Sequence, residues 1–117
     1  MRKDDYVRFQ HMLEAAKEAV AFAKDRQRAD LEQDRMLTLA IIKDVEIIGE
    51  AASKMSGSAR ESFDEIPWDA MVGMRNRLVH VYFNIDYDRV WDTITDDLPP
   101  LIERLEQIVS DYWQFGL

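Results

Sequence analysis

Apolar side chains recur along most of this chain at steps of three and four residues, a spacing that places them on one face of a helix. From Asp5 onward the series is Phe9, Met12, Leu13, Ala16, Val20 and Ala23. A second series starts near Asp30 and runs through Leu37, Ile41, Val45, Ile48, Ala52 and Met55. No segment alternates with period two for long enough to suggest a sheet. Only four Gly and three Pro interrupt 117 residues, so helices can run long between breaks.

Those breaks set the organisation. Asp4 or Asp5 is placed to cap the first helix. Gly57, inside SGSAR, reads as a helix stop followed by a loop or short turn through ESFDEI. Pro67 suits the first turn of a third helix, where its missing N–H is not needed. That helix carries Met71, Val72, Leu78 and Val79 and weakens around Phe83 to Asp86. Asp86 or Asp88 caps a fourth helix bearing Val90, Trp91, Ile94 and Leu98. Pro99 and Pro100 end or kink it, and a last helix follows with Leu101, Ile102, Leu105, Ile108, Val109 and Tyr112. The expected fold is all-α: one domain over residues 1–117, an up-and-down bundle of four to five helices.

With 15 Lys+Arg against 23 Asp+Glu the net charge is -8, the reverse of a protein that coats nucleic acid. Any contact with a polyanion must therefore be local. Between Met71 and Ile85 the only charged side chains are Arg75 and Arg77, a small positive island in an acidic chain. The absence of cysteine removes disulfides, thiol nucleophiles and cysteine-based metal sites, and it fits a reducing cytoplasm. The start, MRKDDYVRFQ, has no apolar leader, and no stretch is apolar enough to span a membrane. A cytoplasmic protein with no membrane association is the expectation.

The island coincides with the run Arg75, Asn76, Arg77, Leu78, Val79, His80, Val81, Tyr82. With IIGEAASKMS from Ile47 to Ser56, the IPW helix start and a VW followed by LPPL, this run resembles the HepT-like branch of the HEPN superfamily. That family's hallmark is an Arg, a polar-first spacer and His-x-Tyr. The resemblance implies the toxin component of a toxin–antitoxin pair: a metal-independent endoribonuclease acting on tRNA or mRNA, with no cofactor. It implies a homodimer in which two motifs share a cleft. It also implies an MntA-type minimal nucleotidyltransferase partner that silences the toxin by AMPylation of the motif tyrosine, Tyr82 by position.

The residue chemistry agrees with that implication in part. Cleaving RNA without a metal needs a base for the 2′-hydroxyl, an acid for the leaving 5′-oxygen and a cation for the phosphorane. His80 is suited to proton transfer near neutral pH. Arg75 offers a planar fork for two phosphate oxygens. Asn76 can orient phosphate or imidazole, and Arg77 either adds to the phosphate field or only solubilises the helix. On one ideal helix Arg75 and His80 would stand about 140° apart, whereas Asn76 with His80 and Arg75 with Tyr82 would each share a face. Either the helix distorts near His80, or a twofold axis brings different faces of two copies together. A single motif histidine per chain favours the second copy as source of the acid.

Plainer roles exist for the same residues. Arg75 could form a surface salt bridge, His80 could be buried or capping, and Tyr82 with Phe83 could be core. His11 reads as solvated or structural, and no metal site is expected. Glu46 and Glu50 read as a solvated face or dimer contacts, and the three Trp and six Met as core and interface filler. Two other functions compete: a non-catalytic HEPN module that binds or presents substrate to a nucleotidyltransferase, and a structural helical dimer.

Overall fold

The computed structural model describes residues 1–116. Three long helices form its frame: α1 (Lys3–Phe22), α3 (Arg35–Ser53) and α8 (Leu98–Phe115). Between them lie the short α2 (Arg28–Gln33), α4 (Gly57–Ser62), α5 (Trp68–Val72), α6 (Met74–Leu78) and α7 (Tyr87–Asp92). Helix α1 packs against both α3 and α8. Phe9, Met12, Ala16 and Ala19 from α1 meet a core that includes Ile41, Val45 and Ile48 of α3 and Leu98, Leu105 and Ile108 of α8. The alanines keep the α1 backbone near its neighbours, which long side chains there would prevent.

The all-α bundle is the fold expected from the spacing; the third helix divides at Gly73 into α5 and α6 and ends at Leu78, and four further local differences lie outside it. The first concerns Asp5, which does not cap α1: the cap position is Arg2, without a side-chain bond. Asp5 is buried instead, accepting hydrogen bonds from the Ser56 N–H at 3.1 Å and the Ser56 hydroxyl at 2.6 Å. The second concerns SGSAR, which starts a helix. Ser56 Oγ accepts from Ala59 N at 3.2 Å, so the serine before Gly57 acts as the N-cap of α4.

The third difference divides the helix expected from Asp30. Asp34 leaves helical geometry and caps α3 through a bond from Leu37 N at 3.1 Å. Thr38 holds the two pieces together, its hydroxyl donating to Leu31 O at 2.7 Å inside the core. The fourth concerns Pro99 and Pro100, which do not end a helix. They occupy the first turn of α8, directly after a π-helical turn at Thr93–Asp97 where Leu98 N reaches back five residues to Thr93 O. A proline cannot donate and crowds the carbonyl four residues earlier; the wider π turn accommodates both constraints without breaking the rod.

Fillers also sort unevenly. Trp68 is buried and donates from Nε1 to Phe63 O at 3.1 Å, whereas Trp113 and Met36 are more than four-fifths exposed and belong to no core. Among the described residues, no helix is long and apolar enough to cross a membrane.

Candidate functional site

Helical structure stops at Leu78, before the motif is complete. Val79–His80 (β1) and Asn84–Ile85 (β2) instead form a minimal antiparallel ladder, pairing Val79 with Ile85 and His80 with Asn84. The three residues between them, Val81–Phe83, reverse the chain in a tight turn. Tyr82 and Phe83 both have φ of +58°, the left-handed region that non-glycine residues occupy at a cost of about 1–3 kcal/mol. Val79, buried in the core, and half-buried Ile85 anchor the base of this hairpin, and Asp86 N donates to Leu78 O at 2.8 Å to close it.

Of the two ways to reconcile Arg75 with His80, the distortion is present within one chain. Arg75 stands on α6, His80 on β1, and the hairpin folds Phe83 back over α6. The Arg75 guanidinium lies 5.9 Å from the centre of the Phe83 ring, within cation–π range, and its Nη1 is 3.5 Å from Asn76 Oδ1. Among the described residues Arg75 makes no ion pair with a carboxylate, so the surface salt bridge is absent and the guanidinium fork remains available for an anion. The helical pairings of Asn76 with His80, and of Arg75 with Tyr82, do not apply, because His80 and Tyr82 lie beyond the helix end.

Arg77 points elsewhere. Its Nη1 donates to Ala70 O at 3.0 Å, satisfying a carbonyl of α5, and it lines a cavity of about 470 Å³ with Arg89, Asp96 and Asp97. Tyr82 is not core: it is 99% exposed at the hairpin tip, flanked by exposed Val81 and Phe83. His80 is half-exposed, with Nε2 3.8 Å from Asp86 Oδ2.

Two participants went unrecognised in the sequence. Asp86 was legible as a helix cap, and it is one, accepting from Arg89 N at 3.0 Å; its nearness to His80 depends on a hairpin. That hairpin carries no Gly, Asn or Asp in its turn, so the usual turn signals are missing. Phe83, read as core alongside Tyr82, instead faces Arg75. Among the described residues no group of three or more His, Asp or Glu is arranged to hold a metal ion.

With this geometry in view, the wider kinship becomes informative. The sequence pattern of the family described as Ribonuclease HepT-like matches residues 12–108, which takes in the whole of α3 and the hairpin, the second half of α1 and the first part of α8. The chain belongs to the HepT-like ribonuclease family. Among the relatives it matches is "Putative RNase MJ1380" of Methanocaldococcus jannaschii, 37% identical over 107 residues, covering 91% of this chain and 98% of the relative. "Putative RNase TTE0752" of Caldanaerobacter subterraneus is 32% identical over 101 residues, with 86% and 90% coverage. "Probable ribonuclease HepT" of Thermococcus cleftensis is 36% identical over 75 residues, with 64% and 68% coverage. No solved structure matches this HepT-like chain.

Proposed function

We propose that this HepT-like protein is a metal-independent endoribonuclease and the toxin of a toxin–antitoxin pair, with a site built from Arg75 and His80 and silenced by AMPylation of Tyr82. The observation that carries the reading is the corner between α6 and the hairpin. An arginine without a carboxylate partner, a half-exposed histidine and a fully exposed tyrosine occur within eight residues there. Membership of a ribonuclease family supports the choice of RNA as the substrate.

In this reading His80 accepts the proton of a ribose 2′-hydroxyl. The 2′-oxygen attacks phosphorus, the bond from phosphorus to the 5′-oxygen breaks, and an acid protonates that leaving oxygen. The products are a 2′,3′-cyclic phosphate and a 5′-hydroxyl. Arg75 holds the non-bridging oxygens as negative charge gathers in the phosphorane. Each chain supplies one motif histidine, so His80 of a second copy is the acid, in a homodimer whose cleft is lined by both motifs. The exposed Val81, Tyr82 and Phe83 give each copy apolar and aromatic surface for that cleft or for bases of the RNA.

Tyr82 suits a switch. Its phenol at the tip is open to an MntA-type nucleotidyltransferase partner, and an attached AMP brings a phosphodiester charge and a purine beside Arg75. Substrate phosphate is then opposed by both charge and volume.

The test is RNA cleavage by the purified protein with a chelator present, beside His80→Ala and Arg75→Ala. The expected result is cleavage leaving cyclic phosphate ends, lost in both variants while far-UV circular dichroism is unchanged. Cleavage surviving both substitutions overturns the assignment of the site. Partner binding without any cleavage by the wild type would make the chain a non-catalytic substrate-presenting subunit. After co-expression with an MntA-type nucleotidyltransferase, the intact mass should rise in AMP steps, and digestion should place the additions on the Tyr82 peptide.

A further inference from the structure

The hairpin register puts one more residue beside the reacting imidazole. His80 pairs with Asn84, so Asp86, two residues further along the same strand direction, is the diagonal neighbour of His80 on the same face. Diagonal neighbours are within reach when side chains are long enough, and Asp86 Oδ2 stands 3.8 Å from His80 Nε2. That separation is longer than a hydrogen bond, as catalytic hydrogen bonds commonly are before substrate is bound.

The carboxylate is held independently of the histidine. Its Oδ1 accepts from Arg89 N at 3.0 Å as the cap of α7, while its own N–H donates to Leu78 O at 2.8 Å. Both ends of the residue are thereby secured, and Oδ2, with its lone pairs uncommitted to the cap, is directed at the imidazole. An ionised carboxylate only accepts, so it selects the imidazole tautomer that carries hydrogen on the nitrogen facing it.

We propose that Asp86 is a positioning residue for His80: it holds the imidazole with Nε2–H toward its carboxylate, so that Nδ1 is the nitrogen that exchanges a proton with RNA. This rests on the ribonuclease reading for its role in catalysis, and on the hairpin geometry alone for the tautomer. In the cleavage step the 2′-hydroxyl proton passes to Nδ1 as the bond from the 2′-oxygen to phosphorus forms. The imidazolium keeps its Nε2–H beside Asp86, whose negative charge offsets the charge gained.

Cap chemistry provides a clean test. Asn and Ser cap helices about as well as Asp, so Asp86→Asn and Asp86→Ser should keep α7 and the melting temperature. In Asp86→Asn the side-chain amide can donate to the ring and invert the tautomer; in Asp86→Ser the partner is simply absent. The expected result is a loss in kcat of roughly tenfold or more in both, the larger in Asp86→Asn, with KM within about twofold. Nitrogen-15 spectra of the neutral imidazole, with His11→Gln used to assign the chain's two histidines, should show Nε2–H in the wild type and Nδ1–H in Asp86→Asn.

Wild-type kcat in Asp86→Asn, or Nδ1–H predominating in the wild type, overturns the proposal. A loss confined to KM, or matched by a fall in melting temperature, makes Asp86 a structural cap only. The spectra decide the tautomer even for a protein that cuts no RNA, so failure of the ribonuclease reading is distinguishable from failure of this one.

Discussion

Asp5 and Ser56, 51 positions apart, meet inside the protein: the carboxylate accepts both the backbone N–H and the hydroxyl of the serine that caps α4. Burial pushes the Asp5 carboxyl up, but the two Ser56 bonds and the nearby Arg8 and Arg2 outweigh it and hold the group below its ordinary value. A depressed carboxylate stabilises the fold above the unfolded value of about 3.9 and loses that contribution as pH falls through the lower folded value. Asp5→Ala should therefore cost about 2 kcal/mol at neutral pH, and the gap from the wild type should close below about pH 4. Urea unfolding at a series of pH values measures it.

Asp44 predicts the opposite sign. Burial, with the neighbouring Glu18 carboxylate adding to it, pushes this group up to about 7. Its Oδ2 finds no hydrogen-bond donor among the described residues. The folded state thus holds a proton that the unfolded chain releases near about 3.9, and stability falls as pH rises from there to about 7. Asp44→Asn should remove that slope and be more stable than the wild type at pH 8 by about 2 kcal/mol. Equal urea midpoints for the two proteins at pH 8 would refute it.

Tyr82→Gly should raise stability while removing the proposed acceptor of AMP. The tyrosine side chain is 99% exposed and its backbone is left-handed, so glycine loses little contact and relieves about 1 kcal/mol of strain. A rise in melting temperature, together with no mass addition on co-expression, is the expected pair of results.

Phe83→Ala should weaken cleavage about three- to tenfold, the loss of a cation–π contact worth about 1 kcal/mol with Arg75. Phe83→Trp should retain activity, since indole offers a stronger face. Single-turnover rates on one defined RNA compare them, and an alanine variant as fast as the wild type would show that the ring does not orient Arg75.

Gly49 sits where α3 passes α5. A Cβ there would stand 3.2 Å from Met71 O and 3.4 Å from Val72 O, and these neighbours are backbone. Gly49→Val should destabilise by about 1–3 kcal/mol, measurable by thermal unfolding.

What the sequence by itself determined was the bundle. Helical spacing in Phe9 to Ala23 and in Leu37 to Met55 depends only on which residues are apolar, and burial follows it. The Arg75 to Tyr82 run stood out in the sequence as a small positive island in an acidic chain and by its resemblance to the HepT-like pattern. Tertiary structure decided how those residues face one another. The chain leaves the helix at Leu78 because burying Val79 and packing Ile85 against the core stabilises a hairpin that Tyr82 and Phe83, both in left-handed geometry, would not form by local preference. Local preference is a property of neighbours in sequence; the meeting of Phe83 with Arg75, and of Asp86 with His80, follows from the packing of Val79 and Ile85 against a core built by distant helices.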